Sequence, residues 1–260
     1  MSRTSLFLPT LAVLSLTLVA GCEAEPARTT APASGLPAAP APPPPEIRKV
    51  PVGKNVFLEI QGDRRRVLVD SVVCLREGPL EQLLTRARTK EHEAILAADC
   101  DARDIHKALL AAGATPGSPV QFQPRFKPPT GTAVKVLLRW EDKGQLRTES
   151  ARKWIMQGEH KSDLAHDWVF AGSRFLPDPD KQRPDYYMAN DGDLVCVANF
   201  EGALLDLPLE SSSHDSDRFF LANTPRIPPR DTRVTVVLEP VPGTGPKPAP
   251  KDDPKSDPRP

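Results

Sequence analysis

Residues 89–104, "TKEHEAILAADCDARD", gather Glu91, His92, Glu93, Asp99, Cys100 and Asp101 within one short stretch. Side chains of these types ligate metals or carry reactive thiols. A zinc-protease helix sets two imidazoles on one face through His-Glu-x-x-His, but the residue four places after His92 is Leu96. If residues 91–99 form a strand, alternation sends His92 and Glu93 to opposite faces, and they do not chelate one ion together. His92 and Cys100 would then lie roughly 26 Å apart at about 3.3 Å per residue, beyond any coordination sphere. A metal site therefore needs a distant partner: His166, His214 or an acid from elsewhere in the fold, such as Asp167. Cys100 directly precedes a helix that Asp101 is placed to cap, a junction that lowers a thiol pKa. Asp99 and Asp101 oppose the thiolate, and Arg103 stands where a thioredoxin-like site has its second cysteine. The candidate functional residues are His92, Glu93, Cys100, His166 and Asp167, and none is assigned as catalytic.

Other clusters fail simple tests. Counted from Asp178, a calcium loop needs Gly at its sixth position and Glu at its twelfth, where this chain has Arg183 and Ala189. Asn190-Asp191-Gly192-Asp193 reads instead as a hairpin turn between "DYYMA" and "LVCVA". Ser211–Ser213 with His214 and Asp215 form a polar loop, without the Gly-x-Ser-x-Gly elbow of common serine hydrolases. No glycine-rich phosphate loop or dinucleotide fingerprint is present, so no cofactor is expected, while a metal ion stays open. Cys74, Cys100 and Cys196 form no local zinc or iron–sulfur spacing and read as small buried hydrophobes, with room for one disulfide at most.

The elements that would position these residues lie between proline-rich borders. Of 31 prolines, nine fall in residues 23–51 and eight in 240–260, and such segments are expected to be extended and disordered. Between them, "KNVFLEI" and "RRRVLVDSVVCL" predict a hairpin around Gln61-Gly62-Asp63. "GPLEQLL" predicts a helical turn, and "HEAILAA" a short strand. "DARDIHKALLAAG" predicts a helix, with Ala102, Ile105, Ala108, Leu109 and Ala112 at helical spacing and Gly113 closing it. "TAVKVLLRWEDKGQLRTE" predicts a second hairpin, and strands are expected at "DWVFAGSRF", "GDLVCVANF" and "TRVTVVLEP". The expected fold class is α+β: one domain of mostly antiparallel strands with one or two helices.

The N-terminus carries Arg3, an apolar run from Leu6 to Ala20, and then "LVAGC". The run is too short for a membrane span and has the form of a secretory signal. Its ending resembles the bacterial lipobox, in which Cys22 receives the lipid. The expected organisation is a signal at 1–21, a lipid-anchored linker at 22–50, a domain at 51–240 and a tail at 241–260. At about 3.1 Å per residue, Glu23 to Lys49 reach at most roughly 80 Å. Lys+Arg and Asp+Glu each number 34, so the chain has no basic footprint for nucleic acid.

"VVCLREGPLEQLLTRARTKEHEAIL", "DIHKALLAAGATPGSPV", "HDWVFAGS", "DLVCVANFEGALLDLP" and "RIPPRDTRVTVVLEP" together resemble a YdjY-like domain, from about Lys54 to Glu239. The resemblance implies a lipoprotein of the bacterial envelope, in a family generally described as of unknown function. Some relatives are described as ferredoxin-like or carry cysteine-rich iron–sulfur segments, a pattern absent from this chain. The expectation is a non-enzymatic binding or assembly module on the exported side of the cytoplasmic membrane. It would meet the membrane through Cys22 and would bind another envelope protein or a cell-wall component. The alternative is a metal- or thiol-dependent enzyme, or a redox-associated envelope protein, with its site assembled around His92.

Overall fold

The computed structural model describes residues 46–158, 161–210 and 219–246. The signal segment, Cys22, the linker to residue 45, the Ser211–Ser213 loop and the tail from residue 247 lie outside them. Strand β1 (Ile47–Gly53) begins four residues before the expected domain border. It runs antiparallel to β2 (Val56–Gln61), which turns into β3 (Arg64–Val73) as the hairpin pattern predicts. Then follow β4 (Gln82–Arg86), β5 (Ala94–Ala98) and α1 (Ala102–Ala111), the one α-helix among the described residues. The second long hairpin is β6 (Ala133–Asp142) with β7 (Gln145–Ser150). Shorter strands come next: β8 (Ile155–Gln157), β9 (Ser162–Asp163), β10 (Trp168–Phe170), β11 (Phe175–Leu176) and β12 (Tyr186–Tyr187). The chain ends with β13 (Val195–Cys196), β14 (Leu205–Asp206), β15 (Phe220–Ala222) and the long β16 (Arg233–Pro240).

The α+β expectation is overturned: among the described residues 42% are strand and 9% helical, and eight strands close a barrel. Its order is β3-β16-β6-β10-β14-β13-β4-β5, and the ring shuts where Val72 and Val73 of β3 pair with Ala97 and Leu96 of β5. Strands β1 and β2 extend the sheet from β3, while β7 pairs with β6 off the ring. The stretch expected as a helical turn, "GPLEQLL", supplies β4, because its ladder is claimed from both sides, by β5 and by β13. Local propensity is a weak prior when two neighbours offer backbone partners.

Alternation along the long strands decides what the barrel encloses. Val56, Val69, Val236 and Leu138 lie directly opposite one another across four strands and are fully buried. Helix α1 packs on β1, β2 and β3 and adds Ile105 and Leu109 to the same core. Asp101 caps it through Arg103 N at 2.9 Å, as expected, and Asn190 Oδ1 takes Ala102 N at 2.9 Å. Asn190 belongs to a 3₁₀ turn, Met188–Asp191, rather than to the expected hairpin turn, because β12 pairs with β11 and not with β13. Among the described residues no helix is long and apolar enough to cross a membrane.

Two parallel pairs break the antiparallel pattern, β4 with β5 and β13 with β14. Only residues 87–93 join β4 to β5, where a parallel crossover ordinarily needs about a dozen or more residues. Such a tight return needs internal bonds. Thr85 and Thr89 hydroxyls meet at 2.9 Å, Glu91 accepts from Arg88 N, and Glu93 N reaches Lys90 O.

Candidate functional site

That tight return carries the stretch whose residue types looked like chemistry. Because β5 starts only at Ala94, residues 91–93 are turn, and the alternation expected of His92 and Glu93 does not apply. His92 Nε2 lies 3.6 Å from Glu93 Oε2, with the imidazole side chain 76% exposed. The expectation that the two diverge is thereby corrected. His166 is also exposed, and Asp167 is paired with Arg152 at 3.5 Å. Cys100 sits beyond the opposite end of β5 from His92. Burial, which outweighs the nearby Arg86, pushes its thiol up to about 12. All three described cysteines are free: Cys100 and Cys196 are buried, and Cys74 is half-buried and raised to about 11 by burial. Among the described residues, no group of three or more His, Cys, Asp and Glu side chains is placed to hold a metal ion.

What the return does assemble is a buried polar staple that sequence spacing did not reveal. Lys90 Nζ reaches Asp193 Oδ1 at 2.8 Å and lies 4.3 Å from the centre of the Phe200 ring. Gln82 Nε2 donates to the same Asp193 oxygen at 3.3 Å. Gly192, at φ +124°, allows the approach: a Cβ there would lie 2.5 Å from Thr89 Oγ1 and 2.6 Å from Thr85 Oγ1. Burial raises Asp193 while Lys90 opposes the shift. Burial lowers Lys90, but the Asp193 contact more than offsets it and leaves the pKa raised. The amine is thus held as an ammonium, without the free electron pair a nucleophile needs. Next to it Asp206, on β14, is pushed by burial to about 8, although Asn199 Nδ2 and Leu207 N donate to it. These groups join the β4–β5 return to the β13–β14 return.

A second unpredicted contact ties the helix to β12. Tyr187 OH donates to Gly172 O at 2.8 Å, so His106 Nδ1, 2.7 Å away, donates to the phenol oxygen. Burial lowers the His106 pKa against the effect of the Gly172 carbonyl.

The accessible chemistry lies on the outer face of the sheet. Residues opposite each other on neighbouring strands share a face, so this face reads as rows. At the end where β1 begins and β16 ends, Lys49, Glu59 and Arg66 stand opposite one another, as do Glu239 and Lys135. Glu59 is buried there between Arg66 and Arg139, the latter at 3.6 Å. The next row is apolar, with Phe57, Leu68, Val237 and Leu137. Then come Asp70, Thr235 and Arg139, with Thr235 Oγ1 donating to Asp70 Oδ1 at 2.9 Å. The last row runs Ala97, Val72, Arg233, and Glu141 opposite Leu146.

These last two rows floor an open groove of about 750 Å³. Asp99, beyond β5, forms part of its wall and is held below the usual carboxylate range mainly by Lys54, 2.5 Å away. Val72 and Leu146 are 40% and 72% exposed. The side chains of Arg233 and Glu141, also exposed, make no hydrogen bond or ion pair to any described residue. The chain enters at Ile47, opposite Gln61, and leaves β16 at Pro240; both points lie at the other end of the strands. From Arg64 to Val72 along β3 is about 26 Å.

An eight-stranded barrel with an apolar interior, one packed helix and a polar outer groove is the class of protein these features define. The chain belongs to the YdjY domain family, whose model matches residues 58–239, from within β2 to the penultimate residue of β16. No curated protein and no solved structure matches it.

Proposed function

We propose that this chain is a membrane-anchored envelope lipoprotein whose YdjY domain is a binding or assembly module, with the outer-face groove as its contact site. The groove carries the reading. It has the size of ordinary ligand sites, bares apolar floor at Val72 and Leu146, and offers one unpaired cation and one unpaired anion for orientation. It also sits at the end of the strands away from Ile47 and Pro240. A lipid on Cys22 and a proline-rich linker would therefore present it outward, toward another envelope protein or a cell-wall component. The buried thiols and the internally neutralised Lys90 favour this over a catalytic reading.

A photo-crosslinking residue at Val72, in cells making the full chain, tests it. The expected product is an adduct whose added mass is not that of a second copy of the processed chain. It should be lost in Arg233→Glu and absent when the probe stands at Ile47, at the far end of the strands. Equal labelling at both positions, or indifference to Arg233, would remove the groove as the site.

A further inference from the structure

Strand β7 leaves an open sheet edge whose hydrogen-bond phase is set by its turn. Lys143 and Gly144, at φ 50° and 75°, form a two-residue hairpin between Asp142 and Gln145, the geometry of a type I′ turn. The flanking Asp142–Gln145 pair is then hydrogen-bonded, and pairs alternate from there. Leu146, Thr148 and Ser150 consequently direct their backbone N–H groups away from β6. Among the described residues no other strand pairs with β7, and no backbone bond reaches Leu146 or Thr148. The other edge of the sheet, β1, is blunted by Pro51 and by a register shift between Pro51 and Gly53, devices that discourage edge pairing. Strand β7 has neither.

We propose that β7 pairs antiparallel with β7 of a second copy of this chain, about a two-fold axis through Thr148. In that register Thr148 faces Thr148 and Leu146 faces Ser150, so the outward groups of each copy meet those of the other. Arg147 faces Glu149, placing opposite charges at the non-hydrogen-bonded position where cross-strand side chains come closest. Arg147 is loosely held now, 3.7 Å from Asp142 with its side chain 53% exposed. Glu149 already meets Arg226, Lys153 and the Trp154 indole, and the incoming guanidinium adds to that set. Leu146 loses much of its exposure, and the groove floor of one copy continues into the next. Six residues per copy make a small contact, below the size of a stable interface. The dimer is therefore weak in dilute solution and favoured where anchoring raises local concentration.

The test is Thr148→Cys in the full chain, in membranes of cells that make it, under mild oxidation and with the native chain as background. Residues paired across the axis lie about 5.5 Å apart at Cα, within disulfide reach. The Lys143→Cys control, on the exposed hairpin tip, lies about 33 Å from its mate in this register. A disulfide dimer at Thr148→Cys at least about tenfold above Lys143→Cys, and reduced severalfold by adding Arg147→Glu, supports the pairing. Equal dimer at the two positions, none at either, or a Thr148→Cys dimer indifferent to Arg147→Glu overturns it. Thr148→Pro provides a second reading, because it removes an outward N–H without touching the β6 ladder. It should lower the dimer fraction captured by chemical crosslinking of the full chain in those membranes and leave the melting temperature unchanged; an unchanged dimer fraction counts against the register.

Discussion

Asp206 shows how much the environment of one residue can differ from its type. Its carboxyl is enclosed on β14 and titrates at about 8, whereas an unfolded aspartate titrates near 3.9. Across that interval the native state holds the proton and the unfolded state has lost it. Stability from this group is therefore full below about pH 4, declines as pH rises, and levels off above about pH 8. Asp206→Asn should flatten that part of a melting-temperature profile taken between pH 5 and 8, because the amide does not ionise. A slope that survives the substitution would place the proton elsewhere. Gly192 carries a different lesson at the same scale: it is there for the close approach of Thr85 and Thr89, not for the hairpin its neighbours resemble.

At the level of elements, the helix was legible because capping and periodicity are local. Asp101 sits before apolar residues spaced for one face, and the structure uses it as expected. Asp101→Ala should cost about 1–2 kcal/mol, read from chemical denaturation, since it removes the cap together with the hydrogen bond that Asn190 Nδ2 donates to Asp101 Oδ1 at 3.2 Å. The long hairpins were legible for the same reason, their turns and alternation lying within neighbouring residues. Strands β4 and β14 were not. Each is short, and each exists because partners remote in sequence complete its ladder. The surroundings of His92 differ from strand alternation for a related reason: residues 91–93 belong to a turn, whose side-chain directions no period of two describes.

For the whole molecule, the arrangement of ends matters most. Entry at Ile47 and exit at Pro240 share one end, and the groove occupies the other. With a lipid on Cys22 the full chain should sediment with membranes, and Cys22→Ser should release it to the soluble exported fraction without changing its melting temperature. Release of neither form, or of both alike, would contradict the anchor and with it the outward presentation of the groove.

By itself the sequence determined the family resemblance, the proline-rich borders, the helix with its cap, the two long hairpins and the lack of a local metal or nucleotide motif. All of these depend on residues close together in the chain. Only the tertiary structure decided that the sheet closes into a barrel, since closure depends on Val72 and Val73 meeting Ala97 and Leu96 at the ring's seam. It alone joined Lys90 to Asp193 and set Asp206 beside them, side chains more than a hundred residues from Lys90. It also laid Val72, Arg233, Glu141 and Leu146 along one row, from four strands whose order no local pattern encodes. Backbone pairing over long sequence separation is settled by which partners satisfy every buried hydrogen-bonding group at once, and that is a property of the whole fold.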